Sequence, residues 1–131
     1  MRVLLVDDHP LVRHALGRVL AIEPDIDIVG EAANGQQAIA LTYQLHPDVV
    51  LMDVSMPVLD GIQATRAIHA EMPGVVVIGL SMFLHDQQVA AMRAAGARDY
   101  VAKSAPPEDL LGVMRACYAR LHEERPAAAA A

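Results

Sequence analysis

Four short apolar runs in this chain stop abruptly at a charged or hydroxyl-bearing residue, and that pattern restricts the possible folds more than anything else in the sequence. Val3-Leu4-Leu5-Val6 ends in Asp7-Asp8, and Val49-Val50-Leu51-Met52 ends in Asp53. Val75 to Leu80 ends in Ser81, and Tyr100-Val101-Ala102 ends in Lys103. An uninterrupted apolar run of this length suits a strand buried on both faces, as in a parallel sheet covered by helices. The segments between the runs have helical spacing. Leu11, Val12, Ala15, Leu16, Val19 and Leu20 follow Pro10, a residue suited to a first helical turn, and Pro24 closes that segment. Ile26 to Val29 reads as a further strand, and Asn34-Gly35 lead into a helix stopped by Pro47. A helix from about Gly61 is broken by Pro73-Gly74, and one around Gln87 to Ala95 is closed by Gly96. After Pro106-Pro107, Leu110, Met114, Cys117 and Leu121 form the apolar face of a last helix. The pattern predicts an α/β fold, a parallel sheet with helices on both faces.

Composition narrows the function classes. At 131 residues the chain suits one domain, and 54% hydrophobic against 20% charged residues excludes disorder for most of it. The net charge of −6, with no basic run, argues against direct nucleic-acid binding, which needs clustered Lys and Arg. A single cysteine, Cys117, rules out an intrachain disulfide framework. No signal peptide is evident, and no apolar stretch approaches the roughly 18 residues of a spanning helix. These features lead to the expectation of a soluble cytoplasmic protein. Pro126 and the alanines after it are low-complexity and are given no role in the fold.

In doubly wound sheets, ligands bind beyond the carboxyl ends of the strands, where strand order reverses. Asp8, Asp53, Ser81 and Lys103 would gather there. Asp53 is the best-placed nucleophile, since a carboxylate can attack phosphorus and form a covalent intermediate. A cluster of carboxylates selects a hard divalent ion such as Mg²⁺. Lys103, the only lysine among ten basic residues, would oppose charge on a phosphoryl group. His9 is a poor match for Mg²⁺ and reads as a solvent-facing loop residue.

Taken together, the acid pair, the strand-end Asp53 followed by Met56-Pro57-Val58-Leu59-Asp60-Gly61, and the ordered Ser81, Tyr100 and Lys103 resemble a receiver domain of two-component response regulators. The resemblance runs from Val3 to about Glu124. Val6-Asp7-Asp8-His9-Pro10, Leu80-Ser81-Met82-Phe83 and Lys103-Ser104 resemble the NarL/FixJ (LuxR-type) branch most. It implies a flavodoxin- or CheY-like five-stranded sheet of order 2-1-3-4-5 with five helices. Residues 1–124 would be the receiver and 125–131 an Ala-rich tail or linker stub.

The same resemblance implies that Asp53 is the phosphoacceptor and that Asp8 and Asp53 bind Mg²⁺ directly. Asp7 would bind it through water, and the main-chain carbonyl of Ser55 would be a further ligand. Ser81 and Lys103 would hold the phosphoryl group. Ser81 and Tyr100 would form the switch, the Tyr100 ring moving inward on phosphorylation; an ordinary half-buried strand tyrosine is the competing reading. Ser55 and Phe83 would shape water access. The implied partner is a sensor histidine kinase. Activation would drive homodimerisation and an output through a C-terminal helix-turn-helix DNA-binding domain that lies outside this chain. The chain would be a phosphoacceptor switch rather than an enzyme.

Two residues depart from the common receiver pattern. Ser104 stands where many receivers have proline, and a cis peptide before it would cost about 3–4 kcal/mol. Met82 is bulkier than the usual Ala or Gly and is expected to slow small phosphodonors. Excision from a longer regulator is preferred over a stand-alone receiver. The alternative from another class is a phosphohydrolase of the haloacid-dehalogenase type. That chemistry normally wants a second aspartate two residues after the nucleophile, where this chain has Ser55.

Overall fold

The computed structural model describes residues 1–82 and 85–124, with the side chains of His122 and Glu124 outside the description. Strands and helices alternate throughout: β1 (Arg2–Val6), α1 (Pro10–Ala21), β2 (Asp27–Ala32), α2 (Gly35–Leu45), β3 (Val49–Asp53), α3 (Gly61–Glu71), β4 (Val76–Ser81), α4 (Asp86–Ala95), β5 (Asp99–Ala102) and α5 (Pro107–Glu124). All strand pairs are parallel and the sheet order is β2-β1-β3-β4-β5. Both the order and the element count agree with the expected architecture.

The period-two alternation of the strands divides the core into two layers. Val3, Leu5, Val49, Leu51, Ile78 and Leu80 pack with Leu20 of α1 and with Leu110, Met114, Cys117 and Leu121 of α5. Leu4, Val6, Val50, Met52 and Val77 face the other way, toward Ala38 of α2, Ala64 and Ile68 of α3, and Met92 of α4. Every residue of β3 is buried. A strand covered on both faces has no need of polar alternation, which explains the continuous apolar run.

Two differences from the sequence reading have local causes. β2 begins one residue later than expected and continues to Ala32, through Gly30 and Glu31. It is an edge strand, mostly half-exposed, so its second half lacks an apolar signature. The peptide after Lys103 is trans, as are all peptide bonds among the described residues. Phe83 and the Ala-rich tail, for which roles in water access and as a linker were expected, lie outside the described residues. No helix among the described residues is long and apolar enough to cross a membrane.

Helix ends locate the loops that carry the chemistry. Asn34 caps α2 by accepting from Gln37 N, and Asp60 forms a capping box with Gln63 at α3. Gly96, at φ +119°, caps α4 in the left-handed region as expected for glycine.

Candidate functional site

The chain runs from β1 outward to β2 and then returns across β1 to β3. The crevice at the carboxyl ends of β1 and β3 is therefore the point where strand order reverses. Asp7 and Asp8 follow β1 and Asp53 is the last residue of β3, so connectivity alone brings three carboxylates to one edge. Asp7 and Asp53 are only 2% and 3% exposed. Asp7 is held firmly. Its N–H donates to Ala32 O at 3.0 Å, its Oδ1 accepts from His9 N at 2.9 Å, and Arg13 donates to its carbonyl.

Lys103 arrives from the far side of the sheet. Its backbone N–H donates to Ser81 O at 2.7 Å, continuing the β4–β5 ladder by one residue and aiming the side chain toward β3. The ammonium Nζ lies 2.6 Å from Asp7 Oδ2 and 3.3 Å from Asp53 Oδ1. Ser81, at the end of β4, lines the same pocket as Asp53, Lys103, Ser55, Met82, His9, His85 and Gln88. The structure thus brings Asp7, Asp8, Asp53, Ser55, Ser81 and Lys103 to one edge. Tyr100 is not among them.

Tyr100 is buried at 7% exposure, its ring packed against Gly79 and Met92. A Cβ added at Gly79 would stand 2.6 Å from Tyr100 Cδ2, so the glycine provides the seat for the ring. The ring is therefore buried in this structure, and its hydroxyl is buried without a hydrogen bond among the described residues.

The electrostatics of the acid cluster suit a cation. One ligand atom each from Asp7, Asp8, His9 and Asp53 lies within 4.8 Å of the others. Three carboxylates against one ammonium leave two negative charges uncompensated in a low-dielectric crevice. Burial pushes the Asp53 carboxyl up to about 6, opposed by the Lys103 charge and reinforced by that of Asp7. Asp53 Oδ2 is buried and accepts no hydrogen bond among the described residues. Oxygen donors, excess negative charge and an unspent carboxylate oxygen fit a hard divalent ion. His9 is exposed as expected, yet its Nδ1 sits 3.2 Å from Asp7 Oδ1 and 3.0 Å from Asp8 Oδ1, which sequence reading did not anticipate.

Three other supports escaped the sequence reading. Gly61 N donates to Val54 O at 2.9 Å, and a Cβ there would lie 2.0 Å from the carbonyl oxygen of Asp53. Arg13, one turn into α1, braces the loop of Asp7 and pairs with Glu31 at 2.9 Å. His85 and Gln88 reach the pocket from the start of α4. Only the Asp60-Gly61 pair carried a sequence signal, as a capping acid before a small residue.

Residues 3–115 match the response regulator receiver domain family. The transcriptional regulatory protein LiaR of Bacillus subtilis (strain 168) is 40% identical over 116 residues, covering 88% of this chain and 55% of the relative. Response regulator protein VraR of Staphylococcus aureus is 37% identical over 115 residues, with the same shares covered. The chain thus spans about half the length of these curated relatives. Among solved structures, a LuxR-family two-component response regulator from Aurantimonas sp. SI85-9A1 superposes with TM-score 0.86 at 35% identity, covering 90% of this chain and 84% of that one. The signal receiver domain of NarL from Mycobacterium tuberculosis gives 0.85 at 30% identity, covering 89% and 94%. By sequence, by strand order and by these likenesses, the chain belongs to the response regulator receiver domain family, in its NarL/FixJ (LuxR-type) branch.

Proposed function

We propose that this receiver domain accepts a phosphoryl group from a sensor histidine kinase onto Asp53, with Mg²⁺ held by Asp7, Asp8, Asp53 and the Ser55 carbonyl. The observation that carries the reading is the Lys103 ammonium lying between Asp7 Oδ2 and Asp53 Oδ1, while the other Asp53 oxygen, Oδ2, accepts no hydrogen bond among the described residues. Asp53 Oδ2 is the free nucleophilic oxygen, and Lys103 with the backbone N–H of Ser55 holds Oδ1. Attack on phosphorus adds negative charge to the transferring oxygens. Lys103 can follow that charge while keeping contact with Asp7. Mg²⁺, when bound, supplies further neutralisation of the phosphoryl oxygens. The Ser81 hydroxyl, on the same pocket wall, donates to one of them.

The added charge biases a two-state surface of α4, β5 and α5 through Ser81 and Tyr100. In this reading the phosphorylated form dimerises and controls a DNA-binding output domain carried elsewhere in the regulator. The chain works as a cytoplasmic switch, promoting its own phosphoryl transfer and dephosphorylation without turning over a separate substrate. The test is thermal unfolding with beryllofluoride, which mimics an aspartyl phosphate. The domain should be stabilised by beryllofluoride only when Mg²⁺ is present, and Asp53→Asn should abolish the effect. Equal stabilisation with and without Mg²⁺, or in Asp53→Asn, would overturn the assignment.

A further inference from the structure

The chamber over Asp53 has a volume of about 290 Å³, and one of its walls is Gln88, from the first turn of α4. Gln88 Oε1 is buried and accepts no hydrogen bond among the described residues, and neither does Asp53 Oδ2 in the same chamber. Buried polar atoms are nearly always paired, so the Gln88 oxygen calls for a donor in this pocket, the Asp53 oxygen being the one that carries the phosphoryl group. Water is the smallest molecule with two donors. The other polar walls are less suited to hold it. Lys103 is engaged by Asp7 and Asp53, His9 by Asp7 and Asp8, Ser81 and His85 have partners of their own, and Ser55 is exposed with a short side chain.

Resting on the phosphoacceptor reading above, we propose that Gln88 is a positioning residue for dephosphorylation, holding the water that attacks the phosphoryl group on Asp53. In that step the water oxygen forms a bond to phosphorus as the bond from phosphorus to the Asp53 oxygen breaks. The electron pair of the broken bond returns to the Asp53 carboxylate, and a water proton passes to a phosphoryl oxygen. Free Asp53 and inorganic phosphate result. A carboxamide is no base, so Gln88 contributes orientation alone, through the hydrogen bond it accepts from the water.

The experiment follows loss of the phosphoryl group after the full chain is charged with acetyl phosphate and Mg²⁺ and the donor is removed. Gln88→Leu, which keeps the bulk and removes both amide ends, should lengthen the phosphoaspartate lifetime about three- to tenfold, the size of one neutral hydrogen bond. Gln88→Ala should slow the loss similarly, which guards against a packing defect in the leucine variant. Affinity for beryllofluoride with Mg²⁺ should not change, because that mimic undergoes no attack by water. Unchanged lifetimes in both variants, or lifetimes that change only in step with beryllofluoride affinity, would overturn the role of Gln88. Failure of the wild-type chain to be charged at all would instead strike the phosphoacceptor reading itself.

Discussion

Asp53 sits where a carboxylate is costly, and its environment fixes how the metal-free domain responds to pH. Burial first, then Asp7, raise its pKa from 3.8 to about 6 against the pull of Lys103. The folded chain therefore holds a proton that the unfolded chain releases, so the stability contributed by the neutral acid is fully present below 3.8 and is lost as pH rises through about 6. Urea unfolding in the presence of a chelator should show wild type losing on the order of 1–3 kcal/mol more than Asp53→Asn between about pH 4 and pH 7. Parallel pH profiles for the two proteins would contradict that burden. Lys103 is the counterweight. Lys103→Met leaves Asp7 and Asp53 facing each other without a cation and should cost roughly 2–4 kcal/mol at neutral pH, shrinking as the carboxyls take up protons. The same variant should slow phosphorylation by a small donor about a hundredfold, measured by intact-protein mass spectrometry. An unchanged rate would remove Lys103 from the chemistry.

Between elements, placement of the site depends on close backbone approaches that no side chain announces. The start of α3 presses on the end of β3, and a methyl at Gly61 would meet the Asp53 carbonyl oxygen at 2.0 Å and Val54 Cα at 2.8 Å. Both obstacles are backbone, so relief requires moving Asp53 itself. Gly61→Ala should destabilise the domain by about 2–4 kcal/mol in urea unfolding and weaken beryllofluoride binding. A variant of wild-type stability and affinity would show that α3 can slide without disturbing the site. The alternation of helix and strand was legible because each inner strand carries an unbroken apolar run and prolines or glycines punctuate the helices. The second half of β2 was not, since Gly30 and Glu31 lie on a half-exposed edge where hydropathy carries little information. Gly61 could be read as a helix start but not as a spacer, because its neighbour in space is a backbone oxygen.

Across the whole molecule, the site was legible as a set of strand ends, and the parallel order converts positions far apart in sequence into one edge. Asp7, Asp53 and Lys103 needed only that topology to meet. What topology alone does not give is the support around them. Arg13, braced between Asp7 and Glu31, and Arg115 of α5, paired with Glu23 and Asp25 beyond α1, are long side chains whose partners depend on the assembled surface. The buried Tyr100 ring likewise depends on Gly79 of the neighbouring strand, a space visible only once β4 and β5 are paired. Such features leave the strand-end chemistry in place and decide how firmly it is held. The whole account rests on the buried carboxylate of residue 53 being the group that takes up phosphorus, and intact-protein mass spectrometry after incubation with a small phosphodonor tests this directly. The prediction is a gain of one phosphoryl group that requires Mg²⁺ and vanishes in Asp53→Asn. A gain that persists in Asp53→Asn, or none in the wild-type chain with Mg²⁺ present, would contradict it.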